Sequence, residues 1–265
     1  MIALLPGGLE LAYDESGHGV PLLLIHGWPH NRTLWAGQMS GLPTQARCIA
    51  PDLRGFGGSS RAGPYSLAQF ADDLAALLDA LEIDRVVACG LSMGGYIALA
   101  LLRHHRTRLR GLVLTGTRAT ADTLEAKEKR ARLIEFIETH GVEALAGAQL
   151  AGMLSRGTLE SRPGVREALR DIMSSASREG AIGGQRAMMA RPDATDLLAT
   201  IDVPTLVVAG AEDVLTSADE QRAMAHAIPG CRFELLAGAG HASAFERPAA
   251  FNHLLTEFLG TLRYD

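Results

Sequence analysis

Residues 85–102 read R-V-V-A-C-G-L-S-M-G-G-Y-I-A-L-A-L-L. A short β-branched run, a glycine-rich turn and a long apolar run follow one another without a break. A strand passing straight into a helix is the repeating unit of a parallel α/β sheet. Within it, Gly90-Leu91-Ser92-Met93-Gly94 is a G-x-S-x-G pentapeptide. Small neighbours let the chain fold back around a serine in a strained turn. The hydroxyl then stands clear of the sheet, close to the free N–H groups that open the helix. The context is that of a nucleophile elbow, and Ser92 is the candidate nucleophile.

Working outward, the same alternation recurs. Strands are expected at Ile2 to Leu5 and Leu9 to Tyr13, joined as an antiparallel hairpin through Gly7-Gly8. Further strands are expected at Pro21 to His26, Arg47 to Ala50, Arg85 to Cys89, Leu109 to Thr115, Val203 to Ala209 and Arg232 to Leu236. The central ones are continuously apolar, as strands buried on both faces must be. Leu67, Phe70, Ala71, Leu74, Leu77, Leu78 and Leu81 make one helical stripe, and Ser66/Gln69 and Ser217/Glu220 form capping boxes. From Arg118 to Met189 there is helical pattern with dense charge and no strand, too long for a loop. The expected organisation is therefore a core of residues 1–117 and 191–265, interrupted by a helical cap over 118–190. The charged runs of that insert, such as E-A-K-E-K-R-A-R at 125–132, read as solvated helix faces.

Composition narrows the class. The chain has 265 residues, 47% hydrophobic and 21% charged, enough apolar surface for a large core. A net charge of −5 speaks against nucleic acid as a partner, because phosphate binding needs a basic face. No window approaches the ~20 apolar residues of a membrane span, and the first residues lack a charged leader. With three cysteines, Cys48, Cys89 and Cys231, a reducing cytoplasm is the expected location.

A serine needs a base, and the base an orienting acid. Gly238-Ala239-Gly240-His241 follows the last strand, and Ala209-Gly210-Ala211-Glu212-Asp213 follows the one before it. Ser92, Asp213 and His241 stand in the order Ser…Asp…His, each at a strand's carboxyl end, where α/β sheets bind ligands. Glu212 and Asp122 are the alternative acids. His26-Gly27-Trp28-Pro29 follows the third strand. Its Trp28 N–H, with that of Met93, is the expected oxyanion hole, since Pro29 has no N–H to give. His26 is expected to hold that loop through its ring. The turn Asp52-Leu53-Arg54-Gly55-Phe56-Gly57 is expected to shape the pocket floor.

The chain resembles the α/β-hydrolase superfamily over essentially its whole length. H-G-W-P at 26–29, D-L-R-G-F-G-G-S at 52–59, G-L-S-M-G-G at 90–95, G-A-E-D at 210–213 and G-A-G-H…E-R-P at 238–248 appear in family order. The resemblance implies a mostly parallel eight-stranded sheet with strand 2 antiparallel, helices on both faces and a cap after strand 6. It also implies a Ser-His-Asp mechanism with no cofactor and no metal. H-G-W-P with F-A-D-D-L is similar to the cofactor-free haloperoxidase (perhydrolase) and esterase branch. The C-terminal half is similar to small esterases and enol-lactonases.

The expected activity is hydrolysis of small or medium carboxylic esters or lactones, in a monomer or homodimer. Two alternatives stand beside it: the same triad using peroxide as acyl acceptor, and a ligand-binding signalling protein on a hydrolase scaffold. Trp28, Phe56, Met93, Met153 and Met188 are the expected substrate-binding residues, thioethers suiting irregular apolar ligands. No cationic cluster stands out near the site, so uncharged substrates are expected, with Arg156 and Arg191 as cap residues able to reach in.

Overall fold

The structure, a computed structural model, describes residues 1–42 and 44–262. Eight strands form one sheet: β1 (Ile2–Leu4), β2 (Glu10–Ser16), β3 (Val20–Ile25), β4 (Ala46–Pro51), β5 (Val86–Leu91), β6 (Leu109–Thr115), β7 (Thr205–Gly210) and β8 (Arg232–Leu236). Their order is β1-β2-β4-β3-β5-β6-β7-β8. β2 runs antiparallel to both its neighbours, β1 and β4, and every other pairing is parallel. The first link is longer than the expected two-residue turn. Leu4 pairs with Glu10, and Pro6–Gly8 between them form a 3₁₀ turn. Pro6 opens that turn because its missing N–H has no partner to lose there.

Among the described residues eleven α-helices accompany the sheet: α1 (Ala36–Gly41), α2 (Leu67–Ala80), α3 (Met93–His104), α4 (Leu124–Met153), α5 (Arg156–Ser161), α6 (Pro163–Ser174), α7 (Arg178–Met189), α8 (Thr195–Leu198), α9 (Ala218–His226), α10 (Ser243–Glu246) and α11 (Pro248–Gly260). Successive strand side chains point to opposite faces. Leu23, Ile25, Val86, Ala88, Leu112 and Leu114 therefore meet α2 and α3 through Phe70, Leu74, Leu77 and Ile97. Leu22, Leu24, Val87, Cys89, Val113 and Leu206 meet Trp35, Phe251, Leu255 and Phe258 on the other side. This double burial is why the central strands carry no polar alternation. Each fully buried leucine contributes about 1.5–3 kcal/mol of transfer energy.

Ser66 caps α2, its hydroxyl accepting from Gln69 N–H, but the Gln69 amide turns to Asp73 instead of closing the box. Asp73, one helical turn on, draws the Gln69 NH₂ to its charged oxygen, and no bond from the Ser66 N–H to the Gln69 side chain is made among the described residues. At Ser217 and Glu220 both halves of the box are made.

Between β6 and β7 the described residues hold helices and no strand. α4 packs on α6 and α7. α7 is fastened over the loops leaving β3 and β4: the Trp28 indole donates to the Ala181 carbonyl at 2.8 Å, and the Ser177 hydroxyl to the Gly55 carbonyl at 2.6 Å. These helices thus overhang the carboxyl edge of the sheet. Among the described residues, no helix is long and apolar enough to cross a membrane. All three cysteines are free thiols.

Candidate active site

The turn after β5 is held in an unusual backbone state. Ser92 has φ 55° and ψ −115°, a conformation that costs energy for a residue with a Cβ. It is clamped by two hydrogen bonds. Its N–H donates to the Thr115 carbonyl at 2.9 Å, and its carbonyl accepts from the Thr117 hydroxyl at 2.9 Å. The flanking glycines allow the rest: a Cβ on Gly90 would lie 2.3 Å from the Gly94 carbonyl oxygen, and one on Gly94 2.1 Å from that of Ile25. No other residue type fits either position.

His241 follows β8 and is 3% exposed. Its Nδ1 lies 2.9 Å and 3.1 Å from the two carboxylate oxygens of Asp213, which follows β7. A carboxylate acceptor places the proton on Nδ1 and leaves the Nε2 lone pair free to act as a base. Asp213 is itself oriented: Oδ1 accepts from the N–H groups of Leu215 and Thr216, both at 2.9 Å, and Oδ2 from the Gln221 amide at 3.4 Å. Burial alone would raise its pKa. The His241 charge and hydrogen bond, with the two N–H donors, outweigh burial and hold the carboxyl below its ordinary value. The two alternative acids are placed elsewhere. Glu212 is exposed and accepts from the first N–H of α5, that of Arg156, at 3.1 Å. Asp122 is buried between Arg130 and Arg191.

Ser92 and His241 line one cavity of about 440 Å³, together with Trp28, Met153 and Met188. Among the described residues Ser92 Oγ has no hydrogen-bond partner. A loose nucleophile–base pair is common before substrate binds.

The loop after β3 is braced by His26. Its Nδ1–H donates to the Gly27 carbonyl at 2.8 Å, and Nε2 accepts from Leu53 N–H at 3.0 Å. Burial lowers its pKa, keeping the ring in the neutral form this pattern needs. Phe56 and Met93, expected to line the pocket, do not. The Phe56 ring is fully buried, edge-on to His26 at 5.3 Å and 73°. The Met93 side chain is likewise fully buried, tucked under Gly184 of α7. The Asp52 to Gly57 turn is a brace and not a pocket floor. Asp52 accepts from the N–H groups of Arg32 and Gly58, both at 2.7 Å, and pairs with the Arg32 guanidinium. Arg54 pairs with buried Asp73 at 2.6 Å.

Three features were missed at the level of sequence. The cavity has a charged wall, including Arg118, Asp122, Glu125, Lys129 and Arg130, so the expectation of a site without cations is corrected. The signal was there: 122, 125–126, 129–130 and 133 recur at helical spacing and make one face across the start of α4. Of the two cap arginines expected to reach in, Arg156 is exposed and pairs with Glu160. Arg191 lies behind the wall, 4.1 Å over the Tyr96 ring.

The second feature is Glu246, fully buried, which accepts from Gly240 N–H at 2.7 Å and from both the N–H, at 3.2 Å, and the hydroxyl of Ser155. It ties the His241 loop to the segment entering α5. Its sequence signal is its place in the E-R-P motif at 246–248, without any sign of what it holds.

The third is His30. It is fully buried, neither ring nitrogen has a partner among the described residues, and a Cβ on Gly27 would sit 3.4 Å from its Nδ1 and 3.1 Å from the Ser92 Cβ. Burial first, then the charges of His26 and His241, push its pKa down to about 3. The unfolded chain takes up that proton near pH 6.5, so below this pH the unfolded state binds more protons than the native one. Stability then falls with pH, by about 1.4 kcal/mol per unit for this ring. Between pH 7 and pH 4.5, His30 is expected to account for about 2–3 kcal/mol of lost stability. Urea midpoints across that range, compared with those of His30→Gln, check it; parallel curves for the two proteins would refute it.

Known proteins bear out this arrangement at the level of fold and class. A family profile described as the alpha/beta hydrolase fold matches residues 20–136. The chain is 32% identical over 224 residues to 3-oxoadipate enol-lactonase 2 of Acinetobacter baylyi, covering 84% of this chain and 82% of that protein. It is 29% identical to BpoC, a candidate non-heme bromoperoxidase of Mycobacterium tuberculosis, covering 96% and 99%. Among solved structures, a thermophilic esterase from Thermogutta terrifontis superposes with a TM-score of 0.96 at 38% identity, covering 100% of this chain and 99% of that one.

Proposed function

Because the chain belongs to the α/β-hydrolase family, we propose that it is a serine hydrolase cleaving carboxylic esters or lactones through Ser92, His241 and Asp213. The observation that carries the reading is the bond from His241 Nδ1 to the Asp213 carboxylate at 2.9 Å, with His241 and Ser92 opening on one cavity. His241 Nε2 takes the Ser92 proton as Oγ attacks the substrate carbonyl. The tetrahedral oxyanion is held by the N–H groups of Met93, at the start of α3, and Trp28, after β3. His241 then returns its proton to the leaving alkoxide, and the ester C–O bond breaks to give an acyl-serine. A water, deprotonated by His241, cleaves that acyl-enzyme and restores Ser92. Asp213 stays ionised throughout and stabilises the imidazolium.

Residues 118–190 act as the lid over this site and supply Met153 and Met188 to its wall. An aryl-ester panel from acetate to decanoate, with simple lactones included, tests the reading. Turnover above the spontaneous rate is expected for at least one class, and turnover at background throughout would refute it and favour a binding protein on the same scaffold.

The relationship to BpoC favours a second reading, in which peroxide replaces water as acyl acceptor. The acyl-serine is then released as a peracid, which oxidises bromide. Bromination in the presence of ester, peroxide and bromide would support it; good hydrolysis without bromination rejects it.

A further inference from the structure

The charges on the cavity wall do not cancel. Lys129 is matched by Glu125 at 2.8 Å, and Arg118 by Glu220 at 3.3 Å. Asp122, however, serves two guanidinium groups at once. Its Oδ2 accepts from Arg130 Nε at 2.6 Å and its Oδ1 pairs with Arg191 Nη1 at 2.7 Å. Asp122 and Arg191 are 4% and 3% exposed, so solvent does little to screen this group. Asp193 also feels the Arg191 charge but is solvent-exposed, so within the buried group two cations around one carboxylate leave one positive charge over.

The surplus has a direction. Arg191 is closed off: its Nη1 also donates to the Met188 carbonyl, its Nη2 to that of Thr120, and Tyr96 covers its face. Arg130 is the open member. Its Nη1 is held by Gln185 Oε1 at 3.0 Å, which fixes the plane of the guanidinium. Its Nη2 has no protein partner among the described residues, and Arg130 lines the same cavity as Ser92 and His241. The remaining uncompensated charge near the site, Asp213, is turned away behind the His241 ring, with its oxygens occupied.

We propose that Arg130, held between Asp122 and Gln185, binds a carboxylate on the substrate, so that the preferred esters or lactones carry a free acid group remote from the scissile bond. The inference rests on the hydrolase reading above for the reaction, and adds the substrate class. A single negative charge matches the single surplus, and the acid left after hydrolysis would be a dicarboxylate or a hydroxy acid. A guanidinium locked in place loses little freedom on binding and gives a charge-assisted hydrogen bond.

The test pairs esters of equal length: the mono-aryl esters of succinate, glutarate and adipate against the neutral aryl esters of butyrate, valerate and hexanoate. Wild type is expected to favour at least one charged member in kcat/KM by about 10–100-fold over its neutral partner. Arg130→Gln is expected to erase that ratio, chiefly through KM. The variant leaves Asp122 paired with Arg191, and a matching urea midpoint confirms that it folds. Neutral esters turned over as well as charged ones, or a ratio that survives in Arg130→Gln, would overturn the proposal while leaving the hydrolase reading intact. Should no ester turn over at all, the hydrolase reading fails on its own. Calorimetry with monomethyl glutarate then decides the anion site: affinity at least tenfold weaker in Arg130→Gln supports it, and equal or absent affinity overturns it.

Discussion

Ser92→Ala is expected to lower kcat on any ester the protein hydrolyses by about a million-fold, and to abolish labelling by a fluorophosphonate probe. The size follows from the division of labour in the site. Without Oγ there is no acyl-enzyme, and only the Met93 and Trp28 N–H groups and the cavity walls are left to assist direct attack by water. The substitution should not cost stability. Ser92 Oγ makes no hydrogen bond among the described residues, and alanine accepts the 55° φ about as well as serine does. Equal or slightly higher urea midpoints are therefore expected beside the lost activity, since on the proposed reading the hydroxyl serves the reaction and not the fold. Labelling that persists in the variant would move the nucleophile elsewhere.

The elbow was legible in the sequence because its constraints are local. Gly90 and Gly94 are required by approaches of little more than 2 Å, and such positions show as glycine whatever surrounds them. The central strands were legible because burial on both faces leaves no room for polar residues, as in Val86 to Leu91. What escaped is the part that depends on which helix face looks inward. The charge-dense start of α4 has the composition of a solvated surface, yet one side of it, from Asp122 to Leu133, closes the cavity. Phe56 and Met93 escaped for the opposite reason. Their loops converge on Ser92 as expected, but side-chain direction within a loop has no period to read, and both point into the core. Glu246 stood within the E-R-P motif, but its bonds to the His241 loop, like the burial of His30, became visible only in the fold. The expectation of uncharged substrates came from finding no cationic cluster near the motifs, because the basic residues that open α4 read as a solvated face.

Asp213→Asn should cut kcat/KM by about ten-thousand-fold while leaving the fold in place. The hydrogen bonds around the carboxylate dictate how the amide must sit. Oδ1 accepts from two backbone N–H groups, of Leu215 and Thr216, so the asparagine oxygen has to occupy that position. Its NH₂ then falls where Oδ2 was, 2.9 Å from His241 Nδ1, and presents a donor where an acceptor stood. His241 answers by taking the tautomer with its proton on Nε2, which cannot accept the Ser92 proton. The imidazolium that forms in the reaction also loses its counter-charge. Two retained backbone bonds keep the loop after β7 ordered, so the loss should appear in turnover and not in the urea midpoint. Glu212→Gln is the matched control. Among the described residues Glu212 Oε2 accepts only from Arg156 N–H at 3.1 Å, a bond that a glutamine oxygen can also make. Its activity should stay within about two-fold of wild type, as for an exposed side chain away from the chemistry. If Glu212→Gln instead loses orders of magnitude and Asp213→Asn stays active, the orienting acid is Glu212, and the geometry of the Asp213 carboxylate has another purpose.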